Sequence, residues 1–103
     1  MVKVSVLYPN GKDIKFDMEY YCNRHIPMVR QLLGSTLKGA AVEQGLSGEK
    51  PRSPALYVAM GHLLFESVDA FRTSFGSHAE TIMADIPKYT NSKPTIQINE
   101  VKL

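Results

Sequence analysis

A histidine sits in this sequence where leucine would pack more easily. Within FDMEYYCNRHIPMVRQLLG (16–34), the residues Met18, Tyr21, Cys22, His25, Met28, Val29, Leu32 and Leu33 fall on one apolar arc at helical spacing, with His25 at its centre. Imidazole titrates near neutrality, so a histidine that opens on a cleft is a candidate general acid or base. The plainer reading is a core histidine satisfied by a backbone carbonyl or by Tyr21. Tyr21 lies one turn earlier on the same arc, so hydroxyl and imidazole share a wall of whatever space the helix covers. An unpaired buried polar group costs roughly 1–3 kcal/mol. Tyr21 can satisfy only one ring nitrogen, so the other is expected to face a cavity, with room left by the small residues Ala59 and Gly61 opposite. On that reading His25→Leu stays folded and is neutral or stabilising.

A second polar set, His78, Asp85 and Tyr89, stands ready to face the first. His78 and Asp85 are seven residues apart, hence on one side of a continuous helix. Asp85 either sets the environment of His25 or fastens the DIPKYTN turn (85–91) through backbone amides. Tyr89 either orients a ligand with Tyr21 or packs as a lid. Met28, Leu32 and Met60 are candidate walls of the site, since methionine adapts to irregular apolar ligands as readily as it fills a core. His62 shares a strand face with Met60, and that face belongs either to the pocket or to a dimer interface. Cys22, placed inward among Met18, Ile26 and Val29, reads as a buried, unreactive thiol. No CxxC or HxxxH spacing suggests a metal, and no glycine-rich phosphate cradle occurs, so no cofactor is expected.

The elements that must hold these residues follow from periodicity. Val2 to Tyr8 alternates as a strand, and a Pro9-Asn10-Gly11-Lys12 turn leads into the helix, which Asp17 caps and Gly34 stops. Pro27 is expected to kink it. Leu37 to Leu46 is a weaker strand, rich in alanine and glycine, and the polar SGEKPRSP loop (47–54) separates it from a strong strand, Ala55 to Phe65. Ser67 offers a cap to a second helix running from Val68 to about Ala84, and Thr95 to Leu103 supplies a last strand. The order β-α-β-β-α-β specifies an α+β, ferredoxin-like domain with a four-stranded antiparallel sheet and both helices on one face. The third strand is apolar on both faces. Several side chains left in water would forfeit on the order of 1.5–3 kcal/mol each, so a second copy is expected to cover the bare face.

The totals exclude several classes. A chain of 103 residues is one domain. Twelve basic and ten acidic residues give a net charge of +2 without a basic stripe, which argues against nucleic acid. No apolar run approaches a membrane span, and Met1 leads straight into strand sequence, so a cytoplasmic protein with a reduced cysteine is expected.

The segment FDMEYYCNRHIPMV, together with SFGSHAETIMADIPKYTNSKPTIQINEV (74–101), resembles the EthD family of small dimeric α+β barrel proteins over nearly the whole chain. Tyr20-Tyr21 followed by His25-Ile26-Pro27, and Asp85-Ile86-Pro87 followed by Tyr89-Thr90-Asn91 and Pro94, carry the resemblance. It implies a single domain over 1–103, a homodimer whose sheets face each other as a barrel, and a pocket in each protomer between sheet and helices. The family is named for a protein associated with cytochrome P450-dependent ether degradation, which implies a role in degrading organic compounds beside such a system. Similar barrels include cofactor-free monooxygenases, isomerases and stress-response proteins, so the fold does not fix the reaction. Two functions follow. One is a cofactor-free enzyme, an oxidoreductase or isomerase, on a small apolar oxygen-bearing molecule, in which His25 exchanges a proton, Tyr21 and Tyr89 orient oxygen, and Asp85 sets the histidine environment. The other is a non-catalytic carrier of a hydrophobic ligand.

Overall fold

The structure, a computed structural model, describes all 103 residues as an α+β domain with a four-stranded antiparallel sheet. Strands β1 (Val2–Pro9), β2 (Gly39–Gln44), β3 (Tyr57–Phe65) and β4 (Thr95–Glu100) lie in the order β2-β3-β1-β4. The expected alternation in β1 is what fixes its two faces. Val4 pairs with Leu63 and Ile98, and Val6 with Gly61 and Ile96, which gives one row under the helices. Val4, Tyr8, Ala59 and Phe65 on that row are almost wholly buried.

Helix α1 spans residues 18–33 in three segments, Met18–Tyr20, a wide turn Tyr21–His25, and Ile26–Leu33. The Asp17 carboxylate accepts from the Tyr20 amide at 3.0 Å, as a cap at this end should. Pro27 does not bend the helix simply; it is preceded by a π-turn in which the Ile26 amide reaches back to the Tyr21 carbonyl. The ring of Pro27 would clash with the carbonyl four residues earlier in a regular helix, and the wider turn makes room for it. The turn also resets the helical phase. Residues four apart drift by about 40° in a regular α-helix, yet Tyr21, His25, Val29 and Leu33 are all buried. Cys22 consequently faces solvent instead of the core, which overturns its reading as a buried thiol.

Gly34 ends α1 with φ 58° and ψ −139°, a conformation closed to other residues in practice. Ser67 caps α2 (Val68–Gly76), its hydroxyl accepting from the Ala70 amide at 3.0 Å. The expected long second helix is broken here. Gly76, the poorest helix former in the run, is followed by Ser77 and His78, and a separate α3 (Ala79–Ala84) begins after the non-helical His78. A single 3₁₀ turn, Ile86–Lys88, then leads to β4.

The buried side chains form two clusters between sheet and helices. One is aliphatic and holds Val4, Val29, Leu33, Leu63, Phe65, Phe71 and Ile82 among others; the second is Tyr8, Tyr21, Ala59 and Tyr89. The opposite face of the sheet carries no helix. Leu7 beside Met60, and Lys3 beside Leu64, alternate there with a polar row. In that row Glu43 meets His62 Nε2 at 3.1 Å, His62 Nδ1 meets the Ser5 hydroxyl at 2.9 Å, and the Asn99 amide donates to Ser5 at 3.1 Å. No helix is long and apolar enough to cross a membrane.

Candidate functional site

The π-turn turns His25 inward, where its side chain is buried and its Nδ1 lies 2.9 Å from Asp85 Oδ2. Asp85 is the C-cap of α3, so the end of this helix is what presents the carboxylate to α1. Its second oxygen, Oδ1, accepts from the Tyr20 hydroxyl at 2.9 Å and lies 3.6 Å from Lys88 Nζ. Burial alone would raise the Asp85 pKa. The hydrogen bonds from His25 and Tyr20, with the charge of Lys88, outweigh it and hold the carboxyl below its usual range. For His25 burial dominates over the attraction of Asp85, and the imidazole is pushed below 6.5, toward the neutral form. An ionised carboxylate can only accept, so the proton of neutral His25 resides on Nδ1.

The other ring nitrogen is left with a lone pair and no protein partner. Every fully enclosed side-chain nitrogen or oxygen in the molecule has a partner, so Nε2 must touch accessible space. His25 lines a cavity between sheet and helices that leaves about 40 Å³ for the centres of water-sized molecules, and Nε2 is the ring nitrogen still free to meet what enters it. Of its sixteen lining residues thirteen are hydrophobic, and apart from His25 only the hydroxyls of Tyr8 and Tyr21 bring polar side-chain atoms to it. Tyr21 stacks on His25 with ring centres 5.5 Å apart, and its hydroxyl rests over the α-carbon of Gly61. A β-carbon at position 61 would fall inside the van der Waals radius of that oxygen, so glycine in mid-strand is what seats the phenol. Tyr8 is fixed by a 2.6 Å hydrogen bond to Tyr89, whose ring lies 4.8 Å from His25. Burial raises the pKa of Tyr8, Tyr21 and Tyr89 above the ordinary phenol value, so all three stay protonated near neutrality. Met83 and Ile96, the exposed members of the lining, flank the cavity where α3 meets the outer strand β4. No group of three or more His, Cys, Asp or Glu is placed to hold a metal ion.

Residues 11–93, which include both halves of this site, match the EthD domain. The chain belongs to the EthD family. It is similar to the crystal structure of an EthD-like protein from Ralstonia eutropha JMP134, with 39% identity and a TM-score of 0.95 over 99% of this chain and 92% of that one. An EthD family protein from Bacillus halodurans C-125 is 20% identical with a TM-score of 0.74, each chain covered to 99%. A more distant likeness of fold, with a TM-score of 0.52 and 12% identity over 99% of this chain and 92% of that one, is to SnoaB from Streptomyces nogalater, a cofactor-independent oxygenase. No protein of curated function matches the chain.

Within this EthD domain the structure gathers His25, Tyr21, Asp85 and Tyr89 at one place and puts the remaining candidates elsewhere. Asp85 does not fasten its own turn to backbone amides; both oxygens are spent on side chains. His78 lies in the break between α2 and α3, in a shallow surface depression with Leu32, away from the cavity. His78 is the N-cap of α3 with non-helical φ −126°, so its side chain does not follow the helical wheel that places Asp85. Met28 and Leu32 pack against the aliphatic cluster as half-buried residues and do not line the cavity, because the π-turn rotates the second half of α1. Met60 and His62 point to the helix-free face of the sheet. Three residues at the site were not anticipated. Tyr20 is off the apolar arc of a regular helix, Tyr8 reads as strand core, and Gly61 as mere room. The Tyr20-Tyr21 pair in the EthD motif was the one signal for the first of them.

Proposed function

We propose that this EthD domain binds a small, largely apolar, oxygen-bearing molecule between sheet and helices and exchanges a proton with it through His25 Nε2, as a step in transforming an organic compound. The observation that carries this reading is the His25–Asp85 pair. A carboxylate fixes the proton on Nδ1 and leaves a basic nitrogen at the wall of an apolar cavity. Asp85 orients the ring and would stabilise the imidazolium that forms, while the phenol of Tyr21 supplies a hydrogen bond to ligand oxygen. The description of SnoaB as a cofactor-independent oxygenase lends the reading an oxidative form, in which a deprotonated ligand reacts with dioxygen. Identification by mass spectrometry of a molecule that co-purifies with the protein provides the substrate to test. Turnover of that molecule should fall at least about a hundredfold in His25→Gln, the scale at which a general base contributes. Unchanged turnover in a folded variant would defeat the proposal.

A carrier role is the second reading, favoured by the nearly unbroken apolar lining. Recovery of the bound molecule unaltered after incubation in air, with His25→Gln lowering affinity alone, would select it. Either function is proposed for a homodimer. The helix-free face, with Leu7, Met60 and Leu64 half-buried on it, supports coverage by a second copy.

A further inference from the structure

We infer that the ligand of this cavity presents a hydroxyl, as an enol or small alcohol, and that an ether, ketone or ester of the same size is discriminated against. The inference rests on the cavity being a binding site and adds the ligand's chemical class. It starts from the direction of one hydrogen bond. Asp85 accepts from His25 Nδ1 and from the Tyr20 hydroxyl, and the Lys88 ammonium lies 3.6 Å away. A carboxylate that accepts from two donors beside an ammonium has no proton to return, so His25 cannot reverse its tautomer, and Nε2 is an acceptor only. The His25 side chain is more than nine-tenths buried, and Nδ1 is the only one of its ring nitrogens with a protein partner.

A ligand that fills the cavity displaces whatever water reaches Nε2. If it brings only lone pairs, as an ether or ketone does, two acceptors face each other in an apolar space and the buried nitrogen stays unsatisfied. A hydroxyl satisfies it. No Lys, Arg, Asn, Gln, Ser or Thr lines the cavity, which leaves nothing to neutralise a carboxylate or phosphate. The free space holds about three waters, or roughly 100 Å³ of matter at liquid density, room for a ligand of about four or five non-hydrogen atoms, whereas a benzene ring needs about 150 Å³ and would extend past it. When the proton moves, the ligand O–H bond breaks, its electron pair stays on oxygen, and a bond forms from the proton to Nε2. The imidazolium is then paired with Asp85 and the oxyanion with the imidazolium. Tyr21, held protonated by burial, remains as a donor to that oxygen.

Cyclobutanol and cyclobutanone, matched in ring and size and differing in whether the oxygen carries a proton, test this in the intact wild-type protein. Titration of each is followed by calorimetry and by the ring ¹⁵N signals of His25. The free protein should show the Nδ1–H tautomer, and cyclobutanol should bind about tenfold more tightly than cyclobutanone, the worth of one good hydrogen bond, while shifting Nε2. An Nε2–H tautomer in the free protein would overturn the inference. So would equal binding of the two compounds with Nε2 unmoved, although the cavity would then still be a binding site. Failure of both to bind or to move any His25 signal would overturn the inference and the proposed site together.

Discussion

With the imidazole and a phenol both donating to it, Asp85 stays ionised well into the acid range, and the pH dependence of stability follows from that residue and its partner. Both folded-state values are depressed, His25 below 6.5 and Asp85 below 3.8. The unfolded chain therefore takes up protons first as pH falls, and stability is complete above about pH 6.5. It should decline from there to the lowered His25 value, and again below 3.8 as Asp85 is protonated. Urea denaturation between pH 4 and 8 should show the first decline in wild type and not in His25→Gln, whose amide keeps a donor toward Asp85 without titrating. Leucine at position 25 would instead strip the carboxylate of its inner donor, so the sequence expectation that His25→Leu is neutral gives way to a destabilised protein. Gly61→Ala should cost about 1–3 kcal/mol, because the new methyl and the Tyr21 hydroxyl compete for one space. Thermal melts should show most of that loss recovered in the Tyr21→Phe, Gly61→Ala double variant; additive losses would mean that the two do not touch. His25 was legible in the sequence because an imidazole on an apolar arc demands a partner. Its partner was less so, since the residues that meet are 60 apart and helical wheels say nothing across that distance.

Strand positions and the faces of β1 were readable because an alternating pattern admits no slippage: a one-residue shift would send Val4 to the open face, whereas β3, apolar on both faces, left the side of Met60 and His62 undecided. Helix interiors were less transparent. Apolar periodicity located both helical regions and both caps, but it assumes one constant turn, and each region departs from it once, at the π-turn before Pro27 and at the Gly76 break. Those two departures account for the misplacement of Cys22, Met28, Leu32 and His78. The first of them also holds His25 itself, so irregularity and site coincide on this helix. The end of α1 gives an independent check on the backbone. Gly34→Ala meets no steric obstacle, yet φ 58° with ψ −139° should make it about 1–3 kcal/mol less stable, visible as a lower Tm with the cavity unchanged. A melt indistinguishable from wild type would show that the chain ends this helix in another conformation.

At the scale of the whole molecule, one sheet face is covered by helices and the other is not, and light scattering at micromolar concentration should report about twice the 11.5 kDa chain mass. A cover of the expected size, on the order of 2,000 Å² in total, would resist dilution; a mass that stays at one chain would sink the dimer. The second cluster of the core has a further use at this scale. The chain contains no tryptophan, and of its five tyrosines four, Tyr8, Tyr20, Tyr21 and Tyr89, stand in one group around His25. Their rings lie 5.0–6.1 Å apart in fixed mutual orientations, so their transitions couple and the near-ultraviolet circular dichroism of the protein is largely the signature of the site itself. The molecule thus carries its own optical probe, one that needs no label and responds when a ligand or a proton disturbs the pocket while the distant strands and loops stay silent.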